Sequence, residues 1–119
     1  MLDTVLGRIQ ESVEGVDAVF VVGMDGMIVT GKPGATAPWD WIAASYTEIV
    51  RKIASAHGEA GMALPEELVI TGEGPALVLR RVTEEYALLL ALKPEAGSLG
   101  RARFELRKAA SALVPELAA

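Results

Sequence analysis

Hydrophobic residues along the chain follow two spacings, and the changes between them divide the sequence into helices and strands. Over residues 2–13 they recur at helical spacing, which predicts an amphipathic helix of about three turns. Ala18–Val22 is a continuous apolar run, typical of a strand that is covered on both faces. Asp25-Gly26 interrupts this character and Met27–Thr30 resumes it. We therefore expect a β-hairpin, because glycine readily adopts the positive φ of tight turns.

Two further amphipathic helices are predicted. The earlier one begins at Trp39 or Asp40 and ends near His57. The later one is capped by Ser98 and ends near Leu113. The apolar stripe of the earlier helix consists of Trp39, Ile42, Tyr46, Ile49, Val50 and Ile53, and that of the later helix consists of Leu99, Ala102, Leu106, Ala109, Ala110 and Leu113.

Three short strands are predicted between these helices. They occupy Glu67–Thr71, Ala76–Val82 and Tyr86–Leu92, and short turns rich in glycine, proline and acidic residues separate them. Gly31–Pro38 and Lys93–Gly97 have the composition of loops.

The elements follow the order α-β-β-α-β-β-β-α in a single domain that covers residues 1–119. Strands that are joined by short turns pair antiparallel. The sequence therefore predicts an α+β fold with a five-stranded antiparallel sheet, one helix on one face and two on the other. The most apolar strands belong in the middle, and the short third strand with Glu66 and Glu67 belongs at an edge, where unpaired backbone needs protection.

Composition narrows the classes of function. The chain has no cysteine, which excludes disulfides, thiolate zinc sites, iron–sulfur clusters and cysteine nucleophiles. A net charge of −5 argues against nucleic acid as the main partner. No signal peptide is visible, and the longest apolar runs, Ala18–Val22 and Ala87–Leu92, are far shorter than the roughly 20 residues of a membrane helix. We expect a cytoplasmic protein without membrane insertion.

One segment matches the glycine and lysine spacing of a phosphate-binding loop, namely Gly26 to Lys32. Such a loop also needs a serine or threonine after the lysine to hold magnesium, and it must open a helix. Here Pro33 follows, and Met27–Thr30 has the character of a strand. We interpret the segment as a hairpin strand that ends in a turn.

No set of residues forms a convincing catalytic group. His57 is the only histidine, so it cannot belong to a two-histidine zinc site, and its place in the last turn of a helix is an ordinary one. Glu66-Glu67 and Glu84-Glu85 are adjacent pairs at strand edges and turns, where we expect them to be solvated rather than to converge. We expect a non-enzymatic protein with no cofactor and no metal.

Two helix surfaces carry residues suited to protein contacts. Trp41 lies on a face with Ala44 and Glu48, away from the apolar stripe, so either a partner or the 31–38 loop covers it. On the last helix, Arg103, Phe104 and Arg107 lie away from the apolar stripe. This second surface is either a solvated face or a docking site for an acidic or phosphorylated partner.

Several segments together resemble the Roadblock family, whose founding members are dynein light chains. The run from Ala18 to Val29, the long second helix, Tyr86–Leu92 and Ser98–Ala110 carry the resemblance, in the family's element order. The most specific pieces are the Asp-Gly hairpin and a phrase near the end of the chain that comprises Leu99, Gly100, Ala102, Arg103, Leu106 and Arg107.

The resemblance implies a Roadblock/profilin-like fold with the second helix on one face of the sheet. It also implies a homodimer, in which the third strands pair edge to edge across a two-fold axis and the second helices lie against each other. On this basis the dimer interface is expected to contain Trp41, Ala44, Glu48, Leu68, Val69, Ile70 and Thr71.

The family also suggests a function. Its members generally are not enzymes, and bacterial and archaeal members regulate small Ras-like GTPases, some of them as activators. We therefore expect a homodimeric binding module that regulates such a GTPase, with Arg103, Phe104 and Arg107 as the candidate docking residues. Repositioning of the GTPase's own loops is favoured over an arginine finger. A small-ligand sensor and a structural scaffold subunit of a signalling complex remain as alternatives.

Overall fold

Three helices and five strands follow one another in the predicted order in a computed structural model that describes residues 1–34, 36–95 and 98–118. The predicted loops 31–38 and 93–97 lie partly outside the described residues, as does the last residue of the chain. The helices are α1 (Leu2–Ser12), α2 (Trp39–Glu59) and α3 (Leu99–Leu117). The strands are β1 (Val16–Gly23), β2 (Ile28–Lys32), β3 (Glu67–Ile70), β4 (Ala76–Arg81) and β5 (Tyr86–Leu92).

All five strands form one antiparallel sheet in the order β2-β1-β5-β4-β3. The two most apolar strands, β1 and β5, are neighbours inside the sheet, as predicted. Strand β3 is an edge strand, also as predicted, and β2 forms the other edge.

Alternation along the inner strands sends side chains into two separate cores. Val19 and Val21 of β1 point to the face that α1 and α3 cover, whereas Ala18, Phe20 and Val22 point to the face that α2 covers. The leucines of β5 divide in the same way. The sequence prediction of one helix on one face and two on the other is therefore confirmed.

The main error in strand prediction concerns Gly31, which was assigned to a loop but lies in β2 opposite Phe20. A Cβ atom on Gly31 would lie 2.0 Å from the Phe20 ring, so the ring occupies the space that a side chain would need. The Phe20 ring also packs against Trp39, with 5.5 Å between ring centroids. Glycine is therefore present here because of close packing, not because of a turn.

Two other boundaries differ from the prediction. Strand β3 ends at Ile70, so Thr71 lies beyond the strand that was expected to include it. Helix α3 continues past Leu113 to Leu117 and contains Pro115. Pro115 removes one i→i−4 backbone hydrogen bond of the helix, and only two helical residues follow it.

The buried face of α2 is rotated relative to the predicted stripe. Ala43, Thr47 and Val50 are its buried residues, whereas Ile49 is 42% exposed, so the assignment of Ile49 to the core was wrong. Successive helical residues are about 100° apart, so a helix that buries Val50 turns Ile49 towards its flank. Thr47 fits this dry position because its hydroxyl donates to the Ala43 carbonyl at 2.8 Å.

No helix in the described part of the chain is both long enough and apolar enough to span a membrane.

Candidate interaction surfaces

Trp41 is the most conspicuous apolar side chain on the outer face of α2. It is 68% exposed, so the described part of the 31–38 loop does not cover it. Ala44 and Glu48 are exposed on the same side of the helix, and Glu48 forms a solvent-exposed pair with Lys52 at 3.8 Å. Together with Ile49, these residues form a surface that we call the α2 outer face.

Ala44 has a second neighbour that sequence reasoning missed. A Cβ atom on Gly26, in the turn between β1 and β2, would lie 3.1 Å from the Ala44 Cα atom. Gly26 has a φ of +96°, which favours glycine independently of the available space. The hairpin turn therefore approaches the backbone of α2 at this point, and the small size of Ala44 serves a contact within the chain.

Strand β3 exposes one edge of the sheet. It pairs with β4 on one side, and the described residues supply no strand on the other side. Leu68 and Ile70 pack against the core beneath α2, and Val69 packs against the core beneath α1 and α3. All residues of the strand remain half-buried, so their apolar side chains are only partly covered within one subunit.

Glu67 has two arginine partners that the sequence did not predict. Its carboxylate accepts a hydrogen bond from Arg80 Nη1 at 3.4 Å and another from Nε of Arg103 on α3. Only 10% of the Glu67 side chain is exposed, whereas 69% of the neighbouring Glu66 side chain is. The prediction that both glutamates are merely solvated is therefore wrong for Glu67, which joins the edge strand to α3.

Arg103 and Arg107 differ in their surroundings. Arg103 was predicted on a face free for docking, but it is committed to Glu67, although half of its side chain is exposed. Arg107 is exposed and forms no hydrogen bond or ion pair within the described part of the chain. The structure therefore leaves Arg107 as the more available of the two arginines.

Phe104 lies between them and is 50% exposed. The guanidinium of Arg101 lies 5.8 Å from the centroid of the Phe104 ring, which is within the range of a cation–π contact. Arg101 also pairs with the buried Glu105 at 3.3 Å. This ion pair fixes the position of the guanidinium that contacts the Phe104 ring. We call Arg103, Phe104 and Arg107 the α3 surface.

The α3 surface, the α2 outer face and the β3 edge do not form one continuous patch. The α3 surface lies on the side of the sheet opposite α2. On the α2 side, Ile53 and Leu68 line the same cavity, so the second half of the helix runs beside β3. Trp41 lies about 18 Å along the helix axis from Ile53. Trp41, at the start of the α2 outer face, is therefore separated from the part of the helix that lies beside β3.

The glycine–lysine segment and His57, which the sequence offers as candidate phosphate and metal sites, have structural roles. Residues 28–32 of the glycine–lysine segment form β2, so no helix begins after Lys32 as a phosphate-binding loop requires. His57 Nδ1 lies 3.1 Å from the carbonyl oxygen of Ala63, which fixes the chain just after α2. Within the described ranges, no three His, Asp or Glu side chains are grouped closely enough to hold a metal ion.

Comparison with known proteins gives no match in sequence, either to a family model or to a curated protein. Many solved structures are similar in fold, among them two structures of MglB and a Roadblock/LC7 domain. A structure of MglB with a tetrameric arrangement has a TM-score of 0.84 at 21% identity and covers 95% of this chain and 85% of its own. MglB of Myxococcus xanthus has a TM-score of 0.86 at 17% identity, with 98% and 94% covered.

The third structure is a Roadblock/LC7 domain from Streptomyces avermitilis, with a TM-score of 0.82 at 15% identity and 98% of both chains covered. At these identities the likeness establishes architecture, and it extends over nearly the whole chain in all three cases. The resemblance seen in the sequence is thereby confirmed at the level of structure: this chain has the fold of the Roadblock/LC7 domain and of MglB.

Proposed function

We propose that the chain is a homodimeric, non-enzymatic binding module that regulates a small Ras-like GTPase. The observation that carries this proposal is its likeness to MglB and to a Roadblock/LC7 domain over 95% of the chain or more. The family resemblance in the sequence connects that fold with GTPase regulation.

The proposed dimer would cover what one subunit leaves exposed. The half-buried β3 edge has unpaired backbone groups, and such edges in stable proteins are covered, charged or paired. Pairing β3 with the same strand of a second copy would satisfy those groups and continue the sheet. The α2 outer face, with Trp41 at 68% exposure, would supply an aromatic anchor of the type that dominates protein interfaces.

The α3 surface is the proposed docking site for the GTPase. Arginine and an aromatic residue side by side are typical of interface hot spots. From Leu99 to Val114, the only carboxylate on α3 is Glu105, which is buried and paired with Arg101, so the exposed charges of this stretch are all positive. Such a surface suits an acidic partner even though the whole chain carries a net charge of −5.

The arginines also bear on how regulation would work. Every arginine of this chain lies in a helix or a strand, and none lies on a loop that could enter a partner's nucleotide site. An arginine finger supplied in trans needs that reach. We therefore infer that the module repositions the GTPase's own catalytic loops.

The test begins with capture from a native lysate on the immobilised protein, with either GDP or a non-hydrolysable GTP analogue present. The captured Ras-like GTPase is then purified, and its single-turnover phosphate release is measured with and without this chain. We expect a change in rate of at least about tenfold, and we expect Arg107→Glu to abolish it. Arg8→Glu, on α1, is the matched control and should retain the effect. An unchanged hydrolysis rate at saturating protein contradicts the proposal.

A further inference from the structure

A cavity of about 200 Å³ lies between the second half of α2 and the β3–β4 end of the sheet. Cavities of about 150 Å³ with aliphatic linings hold benzene, so this one has room for a chain of about six to eight carbon atoms. Its walls are mainly apolar and consist of Met24, Val50, Ile53, Pro65, Leu68, Leu79 and Ala87.

Four polar residues also line the cavity, and three of them are engaged elsewhere. His57 contacts the Ala63 carbonyl, and both Glu66 and Glu67 contact Arg80 at 3.4 Å. The fourth, Arg81, forms no side-chain hydrogen bond or ion pair with any residue in the described ranges. The charge left without a partner at this cavity is therefore a cation.

The register of β4 directs that cation to the cavity side of the sheet. Arg81 follows Leu79 by two residues and pairs with Ala87, and both of those residues belong to the core beneath α2. Arg81 is a half-buried residue in the wall of this cavity, where an ion pair is screened less than at an open surface. A planar guanidinium binds carboxylates through two parallel hydrogen bonds.

We propose that this cavity binds a small aliphatic carboxylate, with the hydrocarbon chain inside the apolar walls and the carboxylate on Arg81. An apolar pocket with a few polar groups at its rim is the usual form of a small-molecule site. This proposal does not use the α3 surface, so it stands apart from the proposed GTPase docking. Leu68 belongs both to the cavity wall and to the β3 edge, so the cavity lies beside the proposed dimer contact.

The first experiment is a titration with octanoate, below its micelle-forming range, followed by backbone amide chemical shifts and by thermal unfolding. We expect shifts confined to the residues around the cavity and a rise in Tm with ligand concentration, because a ligand that binds the folded state stabilises it. Octylamine has the same chain with the opposite charge, and acetate has the same head group without the chain. Both should bind at least about tenfold more weakly. Equal binding of octanoate and octylamine, or no binding of octanoate, overturns the proposal.

Variants then locate the site. Arg81→Gln should weaken octanoate binding about tenfold or more, because a charge-assisted pair of hydrogen bonds is lost. Arg8→Gln, which removes an exposed arginine on α1 that does not line the cavity, is the matched control and should bind octanoate normally. Ile53→Phe fills the cavity from the α2 side and should abolish binding while the far-UV circular dichroism stays native. Native binding by Arg81→Gln would show that the carboxylate is not recognised there and would overturn the assignment.

Discussion

Glu67 shows how strongly one residue can depend on distant parts of the chain. In sequence it is one of two adjacent glutamates before a short strand, and nothing local separates it from Glu66. In the structure its carboxylate lies between Arg80, on the neighbouring strand, and Arg103, 36 residues away on α3. Because strand alternation turns Glu67 towards the α3 side, it becomes nearly buried, and its charge is balanced there by two arginines.

Replacing Glu67 should therefore destabilise the fold. We expect Glu67→Gln to lower the free energy of unfolding by about 1–3 kcal/mol, because two partly buried guanidinium groups lose their counter-charge. Glu66→Gln is the matched control. Its side chain is 69% exposed, so a change below about 0.5 kcal/mol is expected. Urea unfolding followed by circular dichroism gives both values, and equal values for the two variants would contradict this interpretation of Glu67.

Gly31 provides a second test at the scale of a single residue. Gly31→Ala places a methyl group where the Phe20 ring lies, so we expect a loss of about 1–3 kcal/mol in stability. Gly7→Ala is the contrasting variant, because a Cβ atom there would have no heavy atom outside its own helical neighbourhood within 4 Å. In a helix this change should stabilise by about 0.5–1 kcal/mol. A neutral Gly31→Ala in thermal unfolding would show that Phe20 is not packed as described.

At the scale of elements, sequence patterns were sufficient wherever burial follows from a local period. The bounds of β5 coincide with those predicted, and the order and approximate limits of the helices were also predicted correctly. The errors occur where contact with a distant element determines which residues are buried. Ile49 has the spacing of a core residue, but the sheet meets α2 nearer to Val50, and that rotation depends on how α2 docks. The interaction surfaces could be predicted as faces, but the commitment of Arg103 to Glu67 could not.

Helix α2 carries the clearest test of the proposed dimer. We expect Trp41→Ala to weaken dimerisation about 30-fold, since buried tryptophans at interface centres typically contribute about 2 kcal/mol or more. The folded subunit should keep its stability, because Trp41 is 68% exposed within it. Phe104→Ala is the matched control, as Phe104 is an aromatic residue with 50% exposure on α3, on the side of the sheet opposite α2. Light scattering across a dilution series measures both, and unchanged dimer mass for Trp41→Ala would count against the α2 contact.

Strand β3 carries a separate prediction. Ile70→Asp should also weaken dimerisation, because a charge on an edge strand opposes pairing with a second strand. Val29→Asp places the same charge on β2, the other edge of the sheet, and should leave the dimer intact. Far-UV circular dichroism at the same concentrations distinguishes dissociation from unfolding. If both variants dissociate equally, or neither does, the dimer does not form through β3.

At the scale of the whole molecule, the β3 edge, the α2 outer face and the α3 surface lie in different places, so dimerisation and GTPase docking could occur at the same time. Antiparallel pairing of two β3 strands places the two-fold axis perpendicular to the sheet, between the two strands. Each face of the sheet in one copy therefore continues as the same face in the other. In the proposed dimer, both α3 surfaces therefore lie on one side and both α2 helices on the other. Glu67 connects the two regions, because it belongs to the pairing strand and also holds Arg103 of α3.

If one subunit leaves an apolar seam that a second copy closes, sedimentation equilibrium will detect the closed dimer. We expect twice the chain mass of 12.5 kDa, with dissociation only on dilution. A single species of 12.5 kDa at a protein concentration of about 100 μM would contradict it, because an interface of ordinary size would be largely occupied under those conditions.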